Sequence, residues 1–430
     1  MMKKIALAAQ VVTSLALCFP TFAKSNPICS APPPHSQQIV FATRINASSY
    51  LVDSQPFLVK KKFLETSKRK LKKGDKQLQS ALQNLVAEAE KTLKSGPYSV
   101  TDKTKVPPSG DKRDYMSVGP YWWPDSTKPD GLPYIRKDGQ VNPERFSIKD
   151  ADYHGNLCRD VFRLSLAWYF TGEAKYSDHA AKLLKVWFLD EQTRMNPNLN
   201  FGQAIPGRTN GRGIGIIDTR ALAVLIDGVQ ILKDSKSLSA AEYRGMQEWY
   251  HAFLNWMRTS PIGLDEADEH NNHGTWYDVQ TVSMALFTGQ PALAKEILEQ
   301  QTMKRISSQL DSSGAQPHEL ARTISWNYSV MNLDGFFQLA ALADHVGIDL
   351  WNYVTPDGKS IKAAFQWLLP FAQNKKAWTH QQIKPIHFGS FSRTARAVAG
   401  KYPDIDLSGL AEDDHEENSL LLLTNTNIQL

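Results

Sequence analysis

The sequence predicts an all-α fold of repeated helical hairpins, with long ordered loops between some of them. Three observations carry this expectation. From about residue 75 onward, apolar residues recur at three- and four-residue spacing, as in helices with one buried face. Long alternating strand patterns are absent. A helix end also repeats: "AWYFTGEAKYSDHAAKLL" (167–184) parallels "MALFTGQPALAKEIL" (284–298), each with a Thr-Gly stop and a new helix within a few residues. Gly172 and Gly289 fit the left-handed position that ends a helix. "LAALADHVGIDLW" (339–351) reads as a third such end. Such hairpins bury their apolar faces only by stacking, which leaves an open solenoid or a closed ring of paired helices.

Taken in order, the chain begins with Lys3 and Lys4 before IALAAQVVTSLALCF, an apolar run too short to span a membrane comfortably, and then TFA at 21–23. This pattern predicts a signal peptide (1–23) cut after Ala23, and hence a periplasmic or secreted protein. Lipoprotein processing at Cys18 is the competing reading, but Leu17 stands where that pathway wants a small residue. No later run has 18 unbroken apolar residues, so no membrane anchor is expected. Residues 24–75 read as a basic, extended segment. Their end, KKKFLETSKRKLKKGDK (60–76), is either a solvated helix face or a contact for an anionic polymer. It lacks the interleaved aromatics of a single-strand groove, so nucleic acid is not an expected partner. Helices are expected at 76–94, 155–171, 174–189, 216–232, 239–258, 275–287, 290–309, 331–346 and 359–373, within a helical domain spanning 76–400. Residues 401–430 read as a tail, acidic at AEDDHEEN (411–418).

Of 430 residues, 42% are hydrophobic and 22% charged, with net charge +5, which describes a soluble globular protein with a sizeable core. Nothing encodes an oligomeric state. After cleavage Cys29 and Cys158 remain. They could pair in an oxidising compartment or stay separate thiols. Without a CxxC, a zinc ribbon has no support.

Two stretches between helices are long. Residues 101–150 contain Tyr115, Tyr121, Trp122, Trp123 and Tyr134. Disordered segments are poor in such residues, and long ordered loops are usually functional. This one reads as an aromatic-lined binding surface. Residues 193–215 contain Arg208, Asn210 and Arg212, donors suited to an anionic ligand. "GQAIPGRT" (202–209) has phosphate-loop spacing, but Arg208 replaces the lysine and no buried strand is expected before it.

Two polar clusters remain. In "NNHGTWYDVQ" (271–280), Asn271, Asn272 and His273 stand before a helix expected near Thr275. A helix start offers unpaired N–H groups and the positive dipole end to a carboxylate. A helix-capping Asn and a core His would account for the same residues. In "QPHELARTISWNYSVMNLDGFF" (316–337), His318, Glu319, Arg322, Trp326, Asn327 and Tyr328 precede an apolar helix. On one regular helix Arg322 and Tyr328 would point about 120° apart, so a shared target requires a bend. A nearby guanidinium should lower the tyrosine pKa from about 10. His270, His273, His318 and Glu319 are also possible metal ligands, but there is no HExxH. An Arg–Tyr pair facing Asn–His suits proton abstraction beside a carboxylate. Removing the C5 hydrogen of a uronic acid builds charge on its carboxyl group. Donors must stabilise that charge, a base must take the proton, and an acid must protonate the departing O4. Asn272, Arg322 and His273 can do the first. Tyr328 can do both others on one face of the ring; on opposite faces His273 would be the base.

"DYMSVGPYWWPD", "NNHGTWYDVQ" and "RTISWNYSVMNLDGFFQLA…LW" together resemble the alginate lyase-like superfamily, nearest to polysaccharide lyase family 38 and more distantly to family 5. The resemblance covers roughly residues 100–370. It implies an α/α toroid, an incomplete barrel of paired helices, and cofactor- and metal-independent β-elimination of an acidic polysaccharide. The polymer would be alginate, mannuronate-rich, with glucuronan as the alternative. It implies carboxylate neutralisation by Asn272 and His273, base and acid roles for Tyr328, and a role for Arg322, whose spacing to the tyrosine departs slightly from family 5. Tyr121, Trp122 and Trp123 would stack on sugar rings. Asn271, Trp276, His318 and Trp326 are further expected substrate contacts. A hydrolase is the rival chemistry, drawing on Asp218, Asp278 or Glu319. The non-enzymatic rival, an acidic-polysaccharide-binding protein, would have no use for Tyr328.

Overall fold

The computed structural model describes residues 55–411 and 415–427. The leader with its expected cleavage site, Cys18, Cys29 and part of the acidic run lie outside them. The helices are α1 (Lys61–Lys72), α2 (Lys76–Thr92), α3 (Asp150–Thr171), α4 (Ala174–Leu184), α5 (Leu222–Leu232), α6 (Ala240–Thr259), α7 (Pro261–Ala267), α8 (Asn272–Phe287), α9 (Pro291–Ile297), α10 (Met303–Gln309), α11 (Pro317–Leu320), α12 (Ser325–Ala343), α13 (Ile361–Ala372), α14 (Gly389–Val398) and α15 (His415–Thr424). Short strands are β1 (Met116–Val118), β2 (Trp122–Trp123), β3 (Ile135–Arg136) and β4 (Phe201–Ala204).

Helices α3, α5, α8 and α12 pack side by side as an inner wall. All of α5 is buried, and nearly all of α8 and α12. A helix covered on both sides must be apolar all round, whereas outer helices need only one apolar stripe. The outer layer places α2 and α4 against α3, α6 and α9 against α8, and α13 and α14 against α12. Helix α15 packs against α14 and α2. The result is an α/α toroid. Gly172, Gly289 and Gly347 end their helices with φ of 78°, 71° and 72°, as the repeated Thr-Gly pattern and its third instance predict.

The inner helices start earlier than their apolar periodicity predicts. Helix α3 begins at Asp150 rather than 155, α8 at Asn272 rather than 275, and α12 at Ser325 rather than 331. In each case the first turn carries polar residues facing a cleft, which break the apolar pattern. The expected helix at 216–232 divides into a 3₁₀ stretch (Gly213–Thr219) and α5. The basic run, read as either a solvated helix face or a contact for an anionic polymer, forms α1, which buries Leu64 and Ser67 and leaves Lys61, Lys62, Arg69, Lys70 and Lys72 exposed. Helices α7, α11, α14 and α15 fell outside the sequence pattern because they are short or polar. Asp227 on α5 accepts hydrogen bonds from the backbone N–H groups of Phe57, Leu58 and Val59 at 2.6, 2.9 and 2.6 Å, fastening the segment before α1 to the core.

The aromatic loop folds over the open end of the inner wall. Strand β1 pairs in parallel with β4, and β2 pairs antiparallel with β3, setting Trp122 opposite Arg136 and Trp123 opposite Ile135.

Candidate active site

The N-terminal turns of α8 and α12 and the two long loops enclose a cleft of about 500 Å³. Among its lining residues are Tyr121, Trp122, Arg212, Asn271, Asn272, His273, Arg322 and Tyr328. The two polar clusters therefore open into one space, although 55 residues of chain separate His273 from Tyr328.

Helix α8 is capped by Asn271, whose Oδ1 accepts the backbone N–H of His273 at 2.9 Å. Asn272 and His273 thus occupy the first helical turn, where the dipole favours anions. Each is held from behind by a buried carboxylate. Glu319 accepts the backbone N–H of Asn272 at 2.7 Å and its Nδ2 at 2.8 Å. His273 Nδ1 lies 2.9 Å from Glu266 Oε1. With Glu266 ionised, Nδ1 carries the hydrogen and Nε2 is left for the cleft. Burial pushes both carboxyls above the ordinary carboxylate range, while Asn272 and His273 respectively pull them back. Arg305 pairs with Asp278 at 2.8 Å and donates to the carbonyls of Glu269 and Ala267 at 2.7 and 2.8 Å. Gln309 Nε2 donates to the Asn271 carbonyl at 3.0 Å. These bonds fix the turn that delivers Asn272 and His273.

The bend between Arg322 and Tyr328 is present, with Arg322 in the turn before α12 and Tyr328 in its first turn. The Arg322 guanidinium lies 3.7 Å from the Tyr328 ring centroid. Asp138 binds it through Nε at 3.1 Å and Nη2 at 2.7 Å. Burial raises the Asp138 carboxyl, but its bonds from Arg322 and Thr323 outweigh this and hold it well below its ordinary range. The Tyr328 hydroxyl donates to the Tyr121 hydroxyl at 2.8 Å. The expected lowering of the tyrosine pKa is overturned. Burial and then Tyr121 push Tyr328 well above its ordinary value, against the opposing pull of Arg322. The resting phenol is neutral, because burial and the Tyr121 hydroxyl outweigh the Arg322 cation.

Of the other expected contacts, Arg212 lines the cleft with its guanidinium 5.8 Å from the Trp122 ring. The Arg208 guanidinium lies 5.2 Å from the same ring, with Nε donating to the Tyr134 carbonyl at 2.9 Å. Trp123 donates to the Gln140 carbonyl at 3.0 Å and lies under Lys137. Neither Arg208 nor Trp123 lines the cleft, nor does exposed Asn210. Three further expected contacts lie outside the cleft lining. Trp326 is 1% exposed and packs on Trp378, Phe388 and Phe391, because its position on α12 points inward. Trp276 is 2% exposed, beneath Arg220. His318 faces the His270 ring at 4.6 Å.

Several residues carried no sequence signal. Glu266 sits on a different helix from the histidine it orients. Arg220, between the 3₁₀ stretch and α5, lines the cleft and has no carboxylate within ion-pair distance among the described residues. Gln203 holds φ 47°, a left-handed conformation that strains a non-glycine backbone. It accepts from Arg212 at 2.9 Å and donates to Asp218 at 2.8 Å. The three hydrolase carboxylates are each engaged. Asp218 accepts from Tyr115, Ser117 and Gln203, Asp278 is paired with Arg305, and Glu319 is bonded to Asn272. The "GQAIPGRT" segment runs from β4 into a turn at Gly207 (φ 74°) rather than into a helix, so it cradles no phosphate in the phosphate-loop manner.

The alginate lyase family model matches residues 99–378. An alginate lyase from Bacteroides ovatus of known structure is 37% identical, with a TM-score of 0.78 over 87% of this chain and 99% of that one. Alginate lyase A1-III from Sphingomonas species A1 is 15% identical, with a TM-score of 0.56 over 89% and 97% of the two chains, a likeness of fold. A variant of that enzyme complexed with a tetrasaccharide gives 0.55 at the same identity. No curated protein matches the sequence.

Proposed function

This chain belongs to the alginate lyase family and is a polysaccharide lyase, and from that premise we propose that it cleaves mannuronate-rich alginate by β-elimination at the Tyr328–His273 cleft. The observation that carries the reading is the convergence of Tyr328, His273 and Asn272 on one space flanked by Arg212 and Arg220.

The substrate carboxylate docks at the first turn of α8, against Asn272, His273 and Arg220. As the C5–H bond breaks, its electron pair moves onto that carboxylate, where each well-aimed donor contributes about 10²–10³ in rate. The pair then forms the C4–C5 double bond while the C4–O4 bond breaks, and O4 takes a proton. Tyr328, neutral at rest, is the acid that supplies it. Where the C5 hydrogen and O4 lie on one face, Tyr328 is also the base: its phenol proton passes to the Tyr121 oxygen as Tyr121 releases its own proton to solvent, and the resulting phenolate takes the C5 hydrogen that it then delivers to O4. Where they lie on opposite faces, His273 Nε2 takes the hydrogen. Arg322 holds the Tyr328 ring rather than the sugar, its edge being occupied by Asp138. The basic-apolar leader supports action in the periplasm or outside the cell.

The test is a panel of polymannuronate, polyguluronate and glucuronan, followed in the near ultraviolet. The unsaturated product absorbs there and a hydrolysis product does not. Polymannuronate should give the strongest signal; chain shortening without the absorbance would replace elimination by hydrolysis.

A further inference from the structure

Helix α12 carries a second cluster of polar side chains, away from Tyr328. Gln338 follows that tyrosine by ten residues, about 15 Å along the helix. It lines a separate cavity of about 310 Å³. The walls come from α1 and the segment before it, the later half of α12, α14 and the segment after α15. No residue that lines the catalytic cleft also lines this cavity, and the elimination chemistry makes no use of it.

Its buried side is a hydrogen-bond network with two loose ends. Asp334 accepts Gln338 Nε2 at 3.0 Å and Asn427 Nδ2 at 3.0 Å. Asn427 Nδ2 also donates to Thr394 Oγ1 at 2.8 Å. Burial raises the Asp334 carboxyl to about 6, so it is an anion at neutral pH and turns both amide nitrogens toward itself. The carbonyl oxygens, Gln338 Oε1 and Asn427 Oδ1, then have no donor among the described residues, although both side chains belong to buried residues that line the cavity. Buried acceptors left unmet are unfavourable, and a hydrogen donor brought by a ligand removes that penalty.

The rest of the cavity is apolar and cationic. Phe337, Trp351 and Val398 stand buried in its wall, and Phe63 is 38% exposed. Lys60 and Lys401 share one carboxylate, Asp344, at 2.6 and 3.0 Å. Lys62 adds a third ammonium, exposed on α1. Asp334 is the sole acid among the lining residues, so the rim is positive. A matching ligand has hydroxyl donors on one edge, flat carbon faces, and an anion on the opposite edge. A 4,5-unsaturated uronate has that layout. Its double bond flattens the ring beside the conjugated carboxylate on C5, and the C2 and C3 hydroxyls stand on the other edge.

We propose that this cavity is a second, non-catalytic uronate site, which binds the unsaturated end of an elimination product with its hydroxyls toward Gln338 and Asn427 and its carboxylate at Lys60, Lys62 and Lys401. The identity of the ligand rests on the reading of the protein as a uronate lyase. The site is separate from the cleft, so it holds a product unit while the cleft takes the next chain.

The test uses the full chain and an unsaturated mannuronate disaccharide prepared by chemical β-elimination. Calorimetry should find two equivalents bound, one in the cleft and one in this cavity. Ala341→Phe fills the cavity from α12, and Lys62→Glu reverses a charge at its rim. Neither residue lines the cleft, so turnover on polymannuronate should match the parent in both variants. Ala341→Phe should bind one equivalent only. Lys62→Glu should weaken the second equivalent about threefold, the scale of an exposed charge pair. Benzoate, a flat anion without hydroxyls, should compete at this cavity at least about tenfold less well, because it leaves the amide oxygens unmet. Disaccharide binding unaltered in both variants overturns the site, and benzoate matching the disaccharide overturns its assignment to a uronate. If Ala341→Phe melts well below the parent, Lys62→Glu decides alone. Because the disaccharide is made chemically, the two readings fail separately: no unsaturated product from any polymer removes the lyase reading, and the calorimetry still decides whether the cavity binds the uronate.

Discussion

The Tyr328 hydroxyl donates to the Tyr121 hydroxyl at 2.8 Å, so the proposed acid-base group is joined in the cleft by a second phenol from a loop 207 residues earlier in the chain. The arrangement separates two roles that the sequence alone assigned differently, because Tyr121 was expected only to stack on sugar.

Tyr328→Phe should reduce turnover by about 10²–10⁴-fold, the range for a positioned acid-base group, with polymer binding preserved. Tyr121→Phe should retain more activity but lower kcat about tenfold with little change in KM, since the relay and not the docking is lost. Steady-state kinetics on polymannuronate checks both. Wild-type turnover in Tyr328→Phe would remove the proposed acid.

Glu266→Gln should leave His273 in place but remove the carboxylate that fixes its tautomer. A loss of about 10–10³-fold in kcat is expected, with near-parental thermal stability. The assay should include an opposite-face substrate such as polyguluronate beside polymannuronate. A larger loss on polyguluronate is expected where His273 is the base.

Arg305→Ala leaves Asp278 buried without its cation, and breaking such a pair costs about 3–5 kcal/mol. Denaturant unfolding should register the loss. Activity should fall even at temperatures where the variant stays folded, because Arg305 also holds the carbonyls of Ala267 and Glu269 ahead of Asn272. An Arg305→Met, Asp278→Leu double variant should recover stability without recovering full activity.

Asp227 is raised from 3.8 to about 7 by burial, against the opposing pull of three backbone N–H donors. A carboxyl with a raised folded-state pKa binds its proton more tightly folded than unfolded. Its stabilisation is therefore complete below about pH 4 and is lost as pH rises toward 7. Asp227→Asn should flatten that part of the stability-against-pH curve. Unfolding free energies at pH 4.5, 6 and 7.5 test this; an unchanged slope would assign the effect to Asp150 and Asp334, raised to about 6 with the same sign.

The long helices of the outer layer, α14 and α15 apart, were legible because each has one wet face, and the resulting period survives in the residue order. Helix α6 was expected at 239–258 and runs Ala240–Thr259; α13 was expected at 359–373 and runs Ile361–Ala372. The starts of α3, α8 and α12 were illegible for the opposite reason. Their first turns are polar yet partly buried, so Asn272 and Ser325 read as loop until the partners Glu319 and the Gln381 carbonyl are known.

By itself the sequence determined the helical class, the paired-helix ends at Gly172, Gly289 and Gly347, the alginate lyase likeness, and the two clusters containing Asn272, His273, Arg322 and Tyr328. Those features are local, written in spacing and residue type. The tertiary structure decided which of the aromatics meet the cleft, sending Trp276 and Trp326 into the core and Tyr121 to Tyr328. It also decided the charge of the site, by placing Glu266 behind His273, Glu319 behind Asn272 and Asp138 on Arg322, and by leaving Arg220 without an ion-pair partner among the described residues. Desolvation and pairing depend on what lies within a few ångströms, and that neighbourhood is assembled from segments far apart along the chain.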